Sequence, residues 1–367
     1  MPPSLPCSPV PRLFIRTAWR HDLPYCGTSL DSADMASASA AITVRDDYQP
    51  TPLRSLPGLA RALRLGAVSV KDEACRFGLG GIKALGAPYG LEYLLARQEN
   101  LPAAYTAVAA TDGNHGLALA WAAANAGCRA RIYVGTAVSQ TRIARIRAAG
   151  AEVEVVDGSY DDAVAAAARA ALVPGVLLVT DTDHAGGLPV TRAIMAGYSI
   201  LAQEVVQQAE VADFTHVFLQ CGVGGVAAGI AAGLWYRHGN VPRLVTVEPV
   251  RAACLLASLE AGRRVQVAGT LDTRMVGLAC GLTSLPAWEI LSQAAFAAMT
   301  VGEEDARLTQ VALAQGIGGD PPLYSGDTGI AGLAGLCVAA ADAQARACLG
   351  LDAQSRILLV SSEGRLD

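Results

Sequence analysis

Charge is in short supply in this chain: only 17% of its 367 residues are charged, and its 28 Lys and Arg residues form no run. Nucleic acid binds clustered cations that displace its counterions, so scattered ones on a chain of net charge −5 give no reason to expect that partner. Paired cysteines are missing as well. The nine cysteines, at 7, 26, 75, 128, 221, 254, 280, 337 and 348, are odd in number and never spaced C-x-x-C. That scatter fits reduced core thiols in a cytoplasmic protein, without a disulfide framework or a zinc site. A signal peptide needs a basic segment followed by an apolar one, and Pro2, Pro3, Pro6, Pro9 and Pro11 interrupt any apolar helix at the start. Val217 to Tyr236 is the one stretch apolar enough to suggest a membrane span. Gly222, Gly224 and Gly225 divide it into a short β-branched run and an Ala/Gly-rich run, so it reads as strand, turn and buried helix, with no membrane.

Apolar residues are plentiful, at 52%, and 38 glycines run throughout, which argues for tightly packed elements. The length exceeds one compact core, so two domains are expected. Short β-rich runs alternate with Ala-rich helical runs from about residue 68 to the end, the pattern of a doubly wound, mostly parallel α/β sheet. One unit runs from Tyr105 to Ala110, turns at Asp112-Gly113-Asn114, continues as a helix from His115 to a stop at Gly127, and resumes as strand Ala130 to Val134. In the next, Ser139 caps a helix, Gly150 ends it, and Glu152 to Val156 is the following strand. Another Ala-rich helix and strand Val176 to Thr180 complete a small α/β domain. A longer helix from Ile194 leads to strand Thr215 to Leu219, the glycine loop, a further helix and strand Leu244 to Val247.

Several polar clusters fall where such strands end, and open α/β sheets bind ligands there. Gly222-Val223-Gly224-Gly225 lies between strand and helix, where free N–H groups and the macrodipole favour a phosphate. It matches no nucleotide-binding template, and a structural tight turn explains it as well. Thr111-Asp112-Gly113-Asn114-His115 and Thr180-Asp181-Thr182-Asp183-His184 each read as a site or as a capped turn; two carboxylates and one His do not make a metal centre. Arg356 to Val360 runs into Ser361-Ser362-Glu363, a hydroxyl at a strand end or an ST-turn. Lys83 sits among Ile82, Ala84, Leu85 and Gly86, an apolar setting expected to lower its pKa towards that of a nucleophilic free amine.

From about Tyr25 to the C-terminus the chain resembles the fold-type II (tryptophan synthase β-like) pyridoxal-phosphate (PLP) enzymes, and within them the diaminopropionate ammonia-lyases. The resemblance is carried by Tyr48-Gln49-Pro50-Thr51-Pro52-Leu53, Val70-Lys71-Asp72-Glu73, Arg76-Phe77-Gly78-Leu79, Thr111 to Gly116, Gly222-Val223-Gly224, Val247-Glu248-Pro249, Gly277 to Gly281 and Ser362-Glu363-Gly364. It implies two doubly wound α/β domains with the active site in the cleft between them, the large one from 24–89 and 196–367 and the small one from 90–195; residues 1–23 fall outside the resemblance and are expected to form a disordered arm. It also implies a cytoplasmic homodimer acting on a small amino acid. PLP would be carried on Lys83, its phosphate cradled by Gly222, Val223, Gly224 and Gly225, its phenolic oxygen bonded by Asn114 and its ring nitrogen faced by Ser361. Lys83, Asp112 and Asp181 would be catalytic, with Thr111, Gly113 and His115 at the substrate and no metal. The implied reaction is β-elimination of ammonia from 2,3-diaminopropionate, leaving pyruvate and a second ammonia. Serine or threonine dehydration, or β-substitution, is the alternative on the same scaffold. Two segments depart from the family's pattern: Gly80-Gly81-Ile82 stands where it has Asn-Ala-Phe, and Asp183-His184-Ala185-Gly186 where it has Trp-Glu-Gly-Tyr.

Overall fold

Eleven short strands carry the described fold: β1 (Leu13–Ile15), β2 (Leu53–Ser55), β3 (Ala67–Asp72), β4 (Thr106–Ala110), β5 (Arg129–Gly135), β6 (Glu152–Val156), β7 (Val176–Leu178), β8 (His216–Gln220), β9 (Arg243–Pro249), β10 (Ala295–Val301) and β11 (Arg356–Ser361). The structure is a computed structural model and describes residues 5–20, 29–111, 113–158, 160–209, 214–238 and 242–365. The strands form a seven-stranded sheet in the order β1-β10-β9-β8-β11-β3-β2 and a four-stranded sheet in the order β6-β5-β4-β7. All pairings are parallel except the outermost two of the larger sheet, β1 on β10 and β2 on β3. Parallel strands need crossovers, and the Ala-rich helices supply them.

Local signals place these elements. Gly127 terminates the helix Asn114–Ala126 at φ 69°, and the Ser139 hydroxyl accepts from Arg142 N at the start of Gln140–Ala148. The apolar stretch from Val217 is β8, a glycine turn and the helix Gly225–His238. Among the described residues no helix is long and apolar enough to cross a membrane.

One expectation is corrected. The N-terminal segment 5–20 is not a free arm, because β1 pairs with β10 from Leu13↔Met299 to Ile15↔Ala297. Arg16 donates to Ala295 O, and Trp19 donates to Ala294 O while its ring meets Phe296 edge-on at 5.3 Å. The prolines that forbid a helix there do not forbid a short edge strand.

A buried ionic network ties the segment ahead of Lys83 to the helix Pro189–Gln208. Glu204 accepts from Arg76 Nη1 and Nη2 at 2.7 and 2.8 Å, from the Tyr48 hydroxyl at 2.8 Å and from Lys71 Nζ at 2.7 Å. Arg76 also pairs with Glu73, Nε to Oε2, at 2.8 Å. Two cations and two carboxylates with almost no exposure balance in charge, and their hydrogen bonds fill the remaining valences, the condition for a buried pair to be tolerable.

Candidate active site

The C-terminal ends of the parallel strands deliver one cleft. β4 ends at Thr111, β8 at the glycine loop, β11 at Ser362 and Glu363, and the loop after β7 brings Asp181. Counting the solvent in its open mouth, the cleft holds about 980 Å³ of space between protein atoms. Lys83, Thr111, Gly113, Asn114, His115, Asp181, Gly222, Val223, Gly224 and Gly225 all line it. Asp112 lies outside the described residues.

Lys83 opens the helix Lys83–Leu95, and its position is fixed by backbone pairing just ahead of it. Gly81 bridges Glu363, Ile82 N donates to Ser362 O at 2.8 Å, and Gly364 N donates to Gly80 O at 2.9 Å. Gly80 is at φ 84°, and a Cβ on Gly81 would stand 3.0 Å from Ser362 O, so these glycines let the lysine segment lie against the end of β11.

The Lys83 amine donates to Asp181 Oδ2 at 2.7 Å, with the Tyr198 ring centroid 5.5 Å away. The expected downward pKa shift is therefore corrected. Burial alone lowers it, but the Asp181 carboxylate outweighs that, and the amine is held above its ordinary value. Burial likewise would raise Asp181, and Lys83 and then His115 pull it below the usual carboxylate range. Without a cofactor, Lys83 is an ammonium stored on Asp181.

His115 Nε2 meets Val179 O at 2.8 Å, which makes Nε2 the protonated nitrogen and leaves Nδ1 a lone pair. Nδ1 is buried without a hydrogen-bond partner among the described residues, 3.9 Å from Asp181 Oδ2. Across the cleft Asn114 Nδ2 donates to Glu363 Oε2, while Thr328 N donates to Oε1 at 2.9 Å. Burial pushes the Glu363 carboxyl up.

Ser361 is the residue expected at the ring nitrogen. Its hydroxyl is fully buried, donates to Ser325 Oγ at 2.8 Å and does not line the cleft, whereas Ser362 does. Ser362 follows the last residue of β11, where the chain leaves the sheet.

The glycine loop fits a phosphate. Gly224 is at φ 95°, and a Cβ there would press on Ala287 at 3.0 Å, so the backbone itself forms the surface at the start of the 14-residue helix Gly225–His238. A carrier lysine and a helix-end anion cradle opening into one cavity are what a phosphorylated carbonyl cofactor requires.

The departure after Asp181 builds a closed turn. Asp183 is buried, and its carboxylate accepts from Ala185 N, Gly186 N and Leu188 N at 3.2, 2.7 and 2.8 Å. Arg264 donates to His184 O at 2.9 Å from outside. Motif reading passed over Ser362, Glu363, Tyr198, Arg142 and Tyr160 as site residues. It also passed over the clearest signal for Lys83: the chain has only two lysines, Lys71 and Lys83, beside 26 arginines.

The family described as "pyridoxal-phosphate dependent enzyme" matches residues 44–363. Diaminopropionate ammonia-lyase of Escherichia coli (strain K12) is 36% identical over 341 residues, 87% of this chain and 85% of that protein. The biosynthetic L-threonine dehydratase of the same organism is 29% identical over 65% of this chain and 43% of its own length. The crystal structure of the E. coli diaminopropionate ammonia-lyase with D-serine superposes with a TM-score of 0.87 at 32% identity, covering 96% of this chain and 93% of that one. Tomato threonine deaminase, at 21% identity and a TM-score of 0.77, shares the fold. The family match and the 36% identity together show that this chain uses pyridoxal phosphate and belongs to the fold-type II PLP-dependent enzymes, in the group of the diaminopropionate ammonia-lyases.

Proposed function

We propose that the protein eliminates the β-amino group of 2,3-diaminopropionate as ammonia, and that the aminoacrylate released is hydrolysed by one water to pyruvate and a second ammonia. The observation that carries this reading is the convergence of the Lys83 amine, the Asp181 carboxylate and the Gly222–Gly225 cradle in one cleft of a chain 36% identical to a diaminopropionate ammonia-lyase. When bound, PLP supplies an electron sink for the charge left at Cα. Gly222, Val223, Gly224 and Gly225 would hold its phosphate, Asn114 would bond its phenolic oxygen, and Ser362, which lines the cleft, would serve its ring nitrogen in place of Ser361. A neutral hydroxyl there would leave that nitrogen unprotonated. Thr111, Gly113 and His115 lie at the substrate, and Asp181 receives its amino groups. Lys83 takes the Cα proton of the L-enantiomer and Asp112 that of the D-enantiomer. General-base help of this kind contributes on the order of 10²–10⁴-fold.

Pyruvate release from each enantiomer by wild type, Lys83→Ala and Asp112→Asn tests the reading. Loss of the D-reaction alone in Asp112→Asn is expected. No pyruvate from either enantiomer with the cofactor loaded overturns the substrate, and equal loss on both in Asp112→Asn overturns the division of labour. A dehydratase or β-substitution reading is favoured by one feature, the Asp183 turn that replaces an aromatic and an acidic residue beside Asp181. 2-Oxobutyrate from threonine in the same assay would select it. The small domain is taken as 90–195 and the large one as 24–89 with 196–367, in a cytoplasmic homodimer whose mass light scattering checks.

A further inference from the structure

His115 carries an unexplained feature. Its Nδ1 is a buried acceptor without a hydrogen-bond partner among the described residues, and an unpaired buried acceptor costs free energy that a second state of the site can recover. The only acidic group facing it among the described residues is Asp181, 3.9 Å away, whose Oδ2 is at present held by Lys83 at 2.7 Å. Both contacts converge on the same oxygen. We propose that His115 is a positioning residue for Asp181: when Lys83 leaves that carboxylate, Oδ2 turns to Nδ1 and one proton is held between the two atoms.

The surroundings support the swap. Lys83 faces the pair from the helix Lys83–Leu95, and Tyr198 faces Lys83 and Asp181 from the helix Pro189–Gln208, with its hydroxyl proton kept on by burial. Val179 O fixes the far nitrogen, so the imidazole cannot turn Nδ1 away without losing that bond. With Lys83 gone, a charged Asp181 beside a bare Nδ1 would set two acceptors face to face at the wall of the cleft. A single shared proton removes that repulsion and leaves the pair neutral. Burial and the Lys83 cation lower the basicity of His115 at present while Asp181 raises it, so removing Lys83 acts in the direction the swap needs. In turnover the pair keeps a proton beside the departing amino group, and this consequence rests on the proposed function.

The swap can be read in the apoprotein. Among the five histidines, His115 is assigned in ring-¹⁵N-labelled protein by the signal lost in His115→Gln. In wild type at neutral pH, Nδ1 is expected to give the resonance of a bare nitrogen. In Lys83→Met it should move towards that of a protonated one, with its titration midpoint raised by ~1 unit or more. A Lys83→Met protein with Nδ1 still bare and the Asp181 carboxyl carbon still that of a carboxylate overturns the proposal. In the holoenzyme, His115→Gln should lower kcat by roughly 10–10²-fold with little change in KM and displace the acid limb of the pH–rate profile. A variant that loses stability but keeps the wild-type profile indicates a purely structural histidine and also overturns it. If wild type makes no pyruvate from diaminopropionate, the functional reading fails while the nitrogen resonances still decide the swap.

Discussion

The two lysines of the chain sit in opposite surroundings. Lys71 is wholly enclosed and bonds Glu204, Gln208 and the Thr51 carbonyl, inside a network whose other members are also bonded to one another. Lys83 has a side chain 26% exposed to the cleft and a single carboxylate partner. Breaking a closed network strands a buried charge, so Lys71 is immobile. A lone pairing at a cavity edge can be exchanged for another partner at little cost. Reactivity follows from having few bonds to lose, which is why an arginine-rich chain keeps a lysine at 83.

That contrast can be broken in several ways. Lys83→Ala should reduce kcat/KM for diaminopropionate by at least about 10³-fold, because a nucleophile cannot be replaced by its neighbours, with pyruvate release as the measure. Lys71→Met should do the reverse. It is expected to destabilise the fold by up to about 3–5 kcal/mol in urea titration while folded molecules keep their activity. Equal effects of the two substitutions on turnover would erase the distinction.

The Lys83–Asp181 pair gives a smaller, pH-dependent effect in the apoprotein. Asp181 is depressed below its ordinary 3.8, so its contribution is present above that value and lost as pH falls. Lys83 is raised above its ordinary 10.5, so its contribution is present below that value and lost as pH rises past it. Wild type should therefore exceed Asp181→Asn in stability on a plateau between these limits, by about 1 kcal/mol after allowing for solvent at the cleft. The smallest effect separates the two serines. Ser361→Ala should cost about 1 kcal/mol through its lost bond to Ser325 without altering PLP affinity, and Ser362→Ala should weaken PLP binding at unchanged stability.

What the sequence makes legible is local. Gly127 and Gly150 stop helices, Ser139 starts one, and β-branched runs mark strands, because each signal lies within a few residues of its effect. The direction of the Lys83 shift was read from apolar neighbours, yet it is set by Asp181, 98 positions away. Likewise the bonds joining Glu204 to Arg76 span 128 positions and those of β1 span 282 to 286. Ser361 is the last residue of β11 and Ser362 the first beyond it, so a boundary shifted by one residue exchanges their settings.

The three residues of β1 also shield something. β10 is buried along its entire length, Ala295 to Val301, and apart from β1 its outer backbone edge has no other strand beside it. A chain trimmed to begin after Arg20 would present that flat, apolar edge to solvent, a template on which strands of other molecules can add. The short N-terminal strand is thus a guard against self-association as much as a piece of the sheet.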